Sequence, residues 1–232
     1  MRPGIHNRKT QQNQFVLSLL ETGVETMKRV LDLYSGLGGF SEAFARSPNW
    51  EVIRIENNPL LKDVPHTILA DILTLDPRDY NDIDLILASP PCTDFSLGYA
   101  GPRGVAYRQG IRGDDYKPDM TLVETAVRWN AIIKPKFFLM ENVNGSQRYF
   151  ANIRQYPIMK HGPFVFYGTF PLFSMPRGWS HNKETSKLTG RKGQDTWSSD
   201  PLRANKKGKL PIELSRAVLE AFEGTMTLER WL

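Results

Sequence analysis

Short apolar runs alternate with stretches of helical periodicity from Lys28 onward, the pattern of successive βαβ units. Arg29-Val-Leu-Asp-Leu-Tyr34 reads as a buried strand, ended by Ser35-Gly-Leu-Gly-Gly39 and followed by an amphipathic helix near Phe40 to Arg46. Glu51 to Ile55, Thr67 to Ala70, Ile83 to Ala88 and Lys136 to Met140 predict four more strands, the last after a helix near Asp119 to Ile133. Five strands with crossover helices predict an α/β fold with a doubly wound, mostly parallel sheet. Between Asn144 and Lys209 the periodicity weakens. Interspersed Gly, Pro, basic and aromatic residues there predict a small irregular C-terminal β region. Leu210 to Phe222 predicts a helix, with Pro211 tolerated in its first turn. The expected division is a leader over 1–27, whose apolar patch Phe15 to Leu20 forms a docked helix or an arm. A core over 28–143, a reduced region over 144–209 and a closing helix over 210–232 follow.

In such sheets ligands bind beyond the carboxyl ends of the strands, so the residues just after each strand are the candidates for chemistry. The loop Ser35 to Gly39 lets backbone approach a bound group closely. It lacks both the Gly-x-Gly-x-x-Gly spacing of dinucleotide sites and the lysine of a phosphate loop. A nucleoside without a pyrophosphate is therefore the expected guest, a plain tight turn the alternative. Glu56, at the next strand end, suits two ribose hydroxyls, and Asp71, after the third, an amino group on a base. Each is otherwise a solvated strand end. Cys92 follows Pro90 and Pro91, whose fixed φ stiffens the approach. A lone cysteine often serves packing, but the polar turn Ser-Pro-Pro-Cys-Thr-Asp favours a nucleophile. Glu141 ends an apolar strand, where partial desolvation raises a carboxyl pKa and suits an acid. Its alternative role is to fasten the loop Asn142 to Gly145.

Composition narrows the classes. The chain has 232 residues, 40% of them hydrophobic, which suffices for one sizeable core. A formal charge of +5 permits a polyanionic partner without requiring one. One cysteine excludes an internal disulfide and any multi-cysteine zinc site, and His6, His66, His161 and His181 lack ligand spacing, so no metal is expected. No apolar run approaches the roughly 18 residues of a membrane span, and the polar, basic start has no secretory pattern. The expected location is cytoplasmic.

In this order the residues resemble the DNA cytosine-5 methyltransferases, from Val30 to Val143. Asp32-Leu-Tyr34-Ser35-Gly36-Leu-Gly38-Gly39-Phe-Ser41 looks like the family's cofactor loop, Glu56-Asn57 like its ribose-binding acid and neighbour, and Asp71-Ile72 like its adenine contact. Pro91-Cys92-Thr-Asp-Phe-Ser96 looks like the Pro-Cys-x-x-Phe-Ser nucleophile motif, and Glu141-Asn142-Val143 like Glu-Asn-Val. The compact C-terminal part is similar to small methylases encoded by bacteriophages, which would place the protein in a host cytoplasm.

The resemblance implies a Rossmann-like fold, S-adenosyl-L-methionine as cofactor, DNA as partner and a monomer without metal. It implies that Cys92 adds to C6 of an extruded cytosine while Glu141 holds or protonates N3, with Pro91 beside the cofactor. Ser96, Asn142 and Val143 would face the substrate. The loop Leu97 to Tyr116, with Gly98 and other glycines among Arg103, Arg108 and Arg112, would close over DNA and contact phosphates. The family's Gln-x-Arg-x-Arg pattern is absent, with Arg154, Arg177 and Arg191 as unassigned substitutes. Its large target-recognition domain is missing too, which leaves the basic stretch Lys183 to Lys209, with Trp179 and Trp197 beside it, as a DNA-facing surface. Methylation of RNA and a silent DNA-binding protein of the same fold are the alternatives.

Overall fold

The computed structural model describes residues 27–97, 101–180 and 199–229. Seven strands form one sheet: β1 Lys28–Leu33, β2 Trp50–Glu56, β3 Thr67–Leu69, β4 Leu85–Ala88, β5 Phe137–Val143, β6 Met159–His161 and β7 Phe164–Thr169. Their order is β3-β2-β1-β4-β5-β7-β6. β3, β2, β1, β4 and β5 pair in parallel, whereas β7 runs antiparallel to β5 and to β6. The chain winds outward from β1 to β3, then returns to the other side of β1 with β4. The crevice between the ends of β1 and β4 is therefore the switch point of the sheet.

The helices are α1 Pro102–Arg108, α2 Thr121–Ile133, the single turn α3 Gln147–Phe150, α4 Arg203–Gly208 and α5 Ile212–Glu229. Side-chain alternation along the strands builds a core on each face. Leu31, Leu33, Ile86, Phe138, Met140, Val165 and Tyr167 pack with Val123, Ala126 and Trp129 of α2. Val30, Leu85, Leu87, Leu139, Phe164 and Phe166 pack on the other face with Phe44 and with Leu214, Val218 and Phe222 of α5. Because both faces are covered, the strands read as continuous apolar runs. None of the described helices is long and apolar enough to cross a membrane.

Three expectations change. The small irregular β region is instead an extension of the main sheet: Glu141 of β5 pairs with Phe166 of β7, and β6 adds beyond it. The helix near Phe40 to Arg46 is a run of turns ending in a 3-10 turn, Phe44–Arg46. Ser215 of α5 takes its backbone groups, donating to the Phe40 carbonyl at 2.6 Å and accepting the Ala43 N–H at 2.9 Å. The loop Leu97 to Tyr116 is partly ordered as α1 and a 3-10 turn at Gly113–Asp115. Residues Phe15 to Leu20, Gly98, His6, His181, Lys183, Arg191 and Trp197 lie outside the described residues.

Candidate active site

At the switch point a cleft of about 550 Å³ is walled by all five parallel strand ends or the loops after them. Of the expected residues, Asp32, Tyr34, Ser35, Gly36, Gly39, Glu56, Asn57, Asp71, Ile72, Pro91, Cys92, Glu141 and Val143 line it together. Topology is what gathers them. Separate in sequence, they follow strands that lie side by side.

The glycine loop begins at Tyr34, whose φ of 61° lies in the left-handed region. Its hydroxyl donates to the Leu122 carbonyl at 2.6 Å, which ties the loop to α2. Gly36 and Gly38 also have positive φ, and the Gly36 N–H donates to Glu56 Oε2 at 2.8 Å. Asn58 N–H donates to Glu56 Oε1 at 2.8 Å. Each carboxylate oxygen can accept more than one hydrogen bond, so both retain a lone pair for hydroxyls in the cleft. The side-chain hydroxyl of Ser35 is buried with no hydrogen-bond partner among the described residues. Asp71 caps the 3-10 turn Ile72–Thr74 by accepting the Leu73 N–H at 3.0 Å.

Gly38 itself is outside the lining. A Cβ there would sit 2.5 Å from Arg54 Cζ, so its small size serves the packing behind the loop. Arg54 pairs in register with Asp32, and Ser41 joins them, accepting from Arg54 Nε at 2.9 Å and donating to Asp32 Oδ2 at 2.6 Å. Asp32 is fully buried, and burial outweighs Ser41 and Arg54 to push its carboxyl up to about 6. Asp32 Oδ1 has no hydrogen-bond partner among the described residues.

Cys92 and Glu141 face the opposite part of the cleft. Ser89 Oγ donates to Glu141 Oε2 at 2.8 Å. Burial still pushes the Glu141 carboxyl up to about 7. The Cys92 thiol is raised above its ordinary value, first by burial and then by the negative charge of Glu141. Asn142 does not line the cleft; it is buried and donates to the Pro90 carbonyl at 2.9 Å, fastening the nucleophile turn to β5. Ser96 closes that turn through its N–H to the Cys92 carbonyl at 2.9 Å.

The three arginines of the following loop also lie outside the lining. Arg103 Nη1 donates to the carbonyls of Phe95 and Gly145, so its charge faces the protein rather than a phosphate surface. Arg112 stacks on Tyr107 at 4.6 Å, and Arg108 sits at the end of α1. Tyr116, at the far end of the loop, donates to Asp94 Oδ1 at 2.9 Å.

Residues that sequence reasoning missed complete the site. Pro163 and Phe164, at the start of β7, line the cleft, as do Asn205, Lys207, Gly208 and Lys209 around α4. Asn205 Oδ1 accepts from Asn58 Nδ2 at 3.3 Å, and Lys209 Nζ pairs with Glu42 at 2.8 Å. Asn58 belongs to the strand-end run Glu56-Asn57-Asn58 expected from the sequence, and it lines the cleft; nothing in the local pattern distinguishes Asn205 or Phe164. Among the described residues, no cluster of three or more His, Cys, Asp or Glu is arranged to hold a metal ion.

Residues 28–149 match the family model described as C-5 cytosine-specific DNA methylase. The chain is 34% identical over 142 residues to the type II methyltransferase M.DdeI of Desulfomicrobium norvegicum, covering 55% of this chain and 30% of that protein. It is 33% identical over 132 residues to the mouse tRNA (cytosine(38)-C(5))-methyltransferase, covering 50% of this chain and 29% of that one. A probable DNA (cytosine-5)-methyltransferase of Frog virus 3 is 29% identical over 126 residues, 49% of this chain and 53% of the viral protein. The chain thus spans about a third of the first two relatives and about half of the third.

Proposed function

The chain belongs to the C-5 cytosine-specific DNA methylase family, and we propose that it methylates C5 of cytosine in DNA through transient addition of Cys92 to C6. The observation that carries this reading is the shared cleft: a thiol and a carboxyl held near neutrality face it on one side, and a glycine loop with Glu56 on the other. The family is S-adenosyl-L-methionine dependent, and the residues present fit that cofactor. Glu56 offers its free lone pairs to ribose hydroxyls, Asp71 and Ile72 line the cleft after β3 and would take the adenine, and the buried Ser35 hydroxyl has no partner among the described residues. Bound there, the cofactor supplies an electrophilic methyl carbon, the group delivered to C5.

The chain's own residues prepare the base. C5 of cytosine is a weak nucleophile until something adds at C6. The Cys92 thiol passes its proton to solvent, the thiolate sulfur forms a bond to C6, and the displaced π pair moves toward C5 and N3. Protonated Glu141 donates to N3, neutralising the charge that develops there. While Glu141 is protonated, the negative charge that opposes a Cys92 thiolate is absent. After methylation N3 returns its proton to Glu141, water takes the C5 proton, and the released pair re-forms the C5–C6 double bond and expels Cys92 as thiolate. The target nucleotide must leave the duplex to reach the cleft, which costs a few kcal/mol of unstacking. Contacts to flanking DNA fall to the parts of 144–209 outside the sheet.

A second reading keeps the chemistry and changes the polymer, since the tRNA enzyme matches at 33% identity, against 34% for the DNA enzyme. The test incubates the protein with labelled cofactor and either DNA or tRNA, followed by nucleoside mass spectrometry. 5-Methylcytosine in DNA is expected; label only in tRNA selects the second reading. A duplex carrying 5-fluorocytosine should form a denaturation-resistant adduct that Cys92→Ser abolishes. An adduct that persists in Cys92→Ser overturns the nucleophile assignment, and an intact cleft with no transfer to either polymer favours a silent binding protein.

A further inference from the structure

Arg103 stands between the turn that carries Cys92 and the turn that follows β5, the strand carrying Glu141. Its Nη1 donates to the Phe95 carbonyl, in the turn that starts at Cys92, and to the Gly145 carbonyl, 3.3 Å away and four residues beyond Glu141. The Phe95 N–H in turn donates to the Cys92 carbonyl at 3.1 Å, and the Phe95 ring is locked edge-on against Phe150 at 5.1 Å. Arg103 Cζ lies over the Tyr149 ring, 5.5 Å from the centroid. The packing at Gly145 is equally close: a Cβ there would collide with Arg103 Nη1 and with the Phe95 carbonyl oxygen.

From this geometry we infer that Arg103 is a positioning residue, which sets the distance between Cys92 and Glu141 by bridging their two turns, and is not a DNA phosphate contact. The inference rests on the proposed function for its meaning in catalysis, though the bridge itself is a property of the fold. A guanidinium suits the task because it is planar. Its Nη1 directs two N–H groups in the guanidinium plane, one for each carbonyl, while Cζ lies over an aromatic ring. An ammonium on the shorter lysine side chain keeps the charge but loses the reach, the fixed in-plane N–H directions and the contact over Tyr149, so charge and bridge can be separated by substitution.

The test compares wild type with Arg103→Lys and Gly145→Ala. Turnover, KM for DNA, the salt dependence of DNA binding and cofactor affinity are measured in each. So is the rate at which iodoacetamide alkylates Cys92, the chain's single thiol. Both variants are expected to lose at least about tenfold in turnover and to change the alkylation rate severalfold. KM for DNA, the salt slope and cofactor affinity should stay within about threefold of wild type. A phosphate contact behaves otherwise: Arg103→Lys, which keeps the charge, would be near normal, and a third variant made for this purpose, Arg103→Ala, would raise KM for DNA and reduce the salt slope by about one. That result overturns the inference. Loss of cofactor binding together with turnover in both variants would also overturn it, by assigning the bridge to general stability. Should wild type itself transfer no methyl group, the functional reading fails separately. The alkylation rates then decide on Arg103, with unchanged rates in both variants rejecting it.

Discussion

Asn142 donates its side-chain N–H to the Pro90 carbonyl across 2.9 Å, so the strand that presents Glu141 and the turn that presents Cys92 are one mechanical unit. Asn142 is 1% exposed, and its Oδ1 is occupied by the Val143 N–H at 2.9 Å. Replacing it with alanine leaves the Pro90 carbonyl without this donor in a buried setting, at a cost of about 1–3 kcal/mol. Asn142→Ala is expected to lower the melting temperature and to slow adduct formation on 5-fluorocytosine DNA at least tenfold, with little change in cofactor affinity. Calorimetric titration and trapping kinetics check both; equal loss in the two would assign Asn142 to the cofactor cleft instead.

Glu141 links activity to pH. Its carboxyl has an ordinary value of 4.5 and a folded value of about 7. Below 4.5 it is protonated in both folded and unfolded chains. Between 4.5 and 7 the unfolded chain releases the proton while the folded one keeps it, so stability falls as pH rises, in total on the order of 3 kcal/mol. Glu141→Gln removes this loss: melting temperatures compared at pH 5 and pH 8 should diverge less than in wild type. Asp32, held up to about 6 by burial, keeps part of the slope in the variant. In the same variant turnover should fall by roughly 10²- to 10⁴-fold, the range of acid–base catalysis. In wild type, turnover should rise with pH up to about 7 and then level off, because above that point loss of the Glu141 proton offsets the further gain of Cys92 thiolate. Near-normal turnover in Glu141→Gln would remove the residue from the chemistry.

Glu56 accepts backbone N–H groups on both oxygens, from Gly36 and Asn58, each at 2.8 Å. Glutamine can accept on one oxygen only and turns an NH2 toward the other donor. Glu56→Gln is expected to weaken cofactor binding at least tenfold while turnover at saturating cofactor stays within a few-fold. A cofactor KM equal to that of wild type would show that the ribose is held elsewhere.

Gly39 lies against the segment that enters α5. An added Cβ would meet the Leu210 carbonyl oxygen at 2.6 Å and the Leu210 nitrogen at 2.8 Å, both backbone atoms that cannot swing aside. Gly39→Ala should therefore push Leu210 and Lys209 outward, destabilise the fold by about 1–3 kcal/mol and weaken cofactor affinity. Thermal melting and titration with cofactor report the two effects, and unchanged values in both would show that the loop relaxes freely.

Much of the sheet was legible in the chain because parallel strands buried on both faces must be apolar throughout. β1, β2, β4 and β5 accordingly stand out as runs bounded by turn residues. The interruptions were also legible: Asp32, Glu56, Cys92 and Glu141 are polar or reactive side chains at strand ends where packing calls for none. The turns over Phe40 to Arg46 misled because helical spacing of apolar residues says nothing about competition from Ser215, more than 170 positions away, for the same backbone groups. Arginines near glycines read as a mobile phosphate-binding loop, since local composition cannot reveal that Arg103 already has two carbonyl partners.

By itself the sequence determined which residues are chemically able to act, since spacing relative to strand ends depends only on short-range backbone geometry and side-chain alternation. Tertiary structure alone decided how those residues meet. It set β7 and β6 beside β5, brought Asn205 against Asn58 and Lys207 into the lining of the cleft, turned Arg103 inward and raised the Glu141 carboxyl by burial. Desolvation and hydrogen-bond partnership depend on what packs against a group from distant parts of the chain, and no local pattern of residues carries that information.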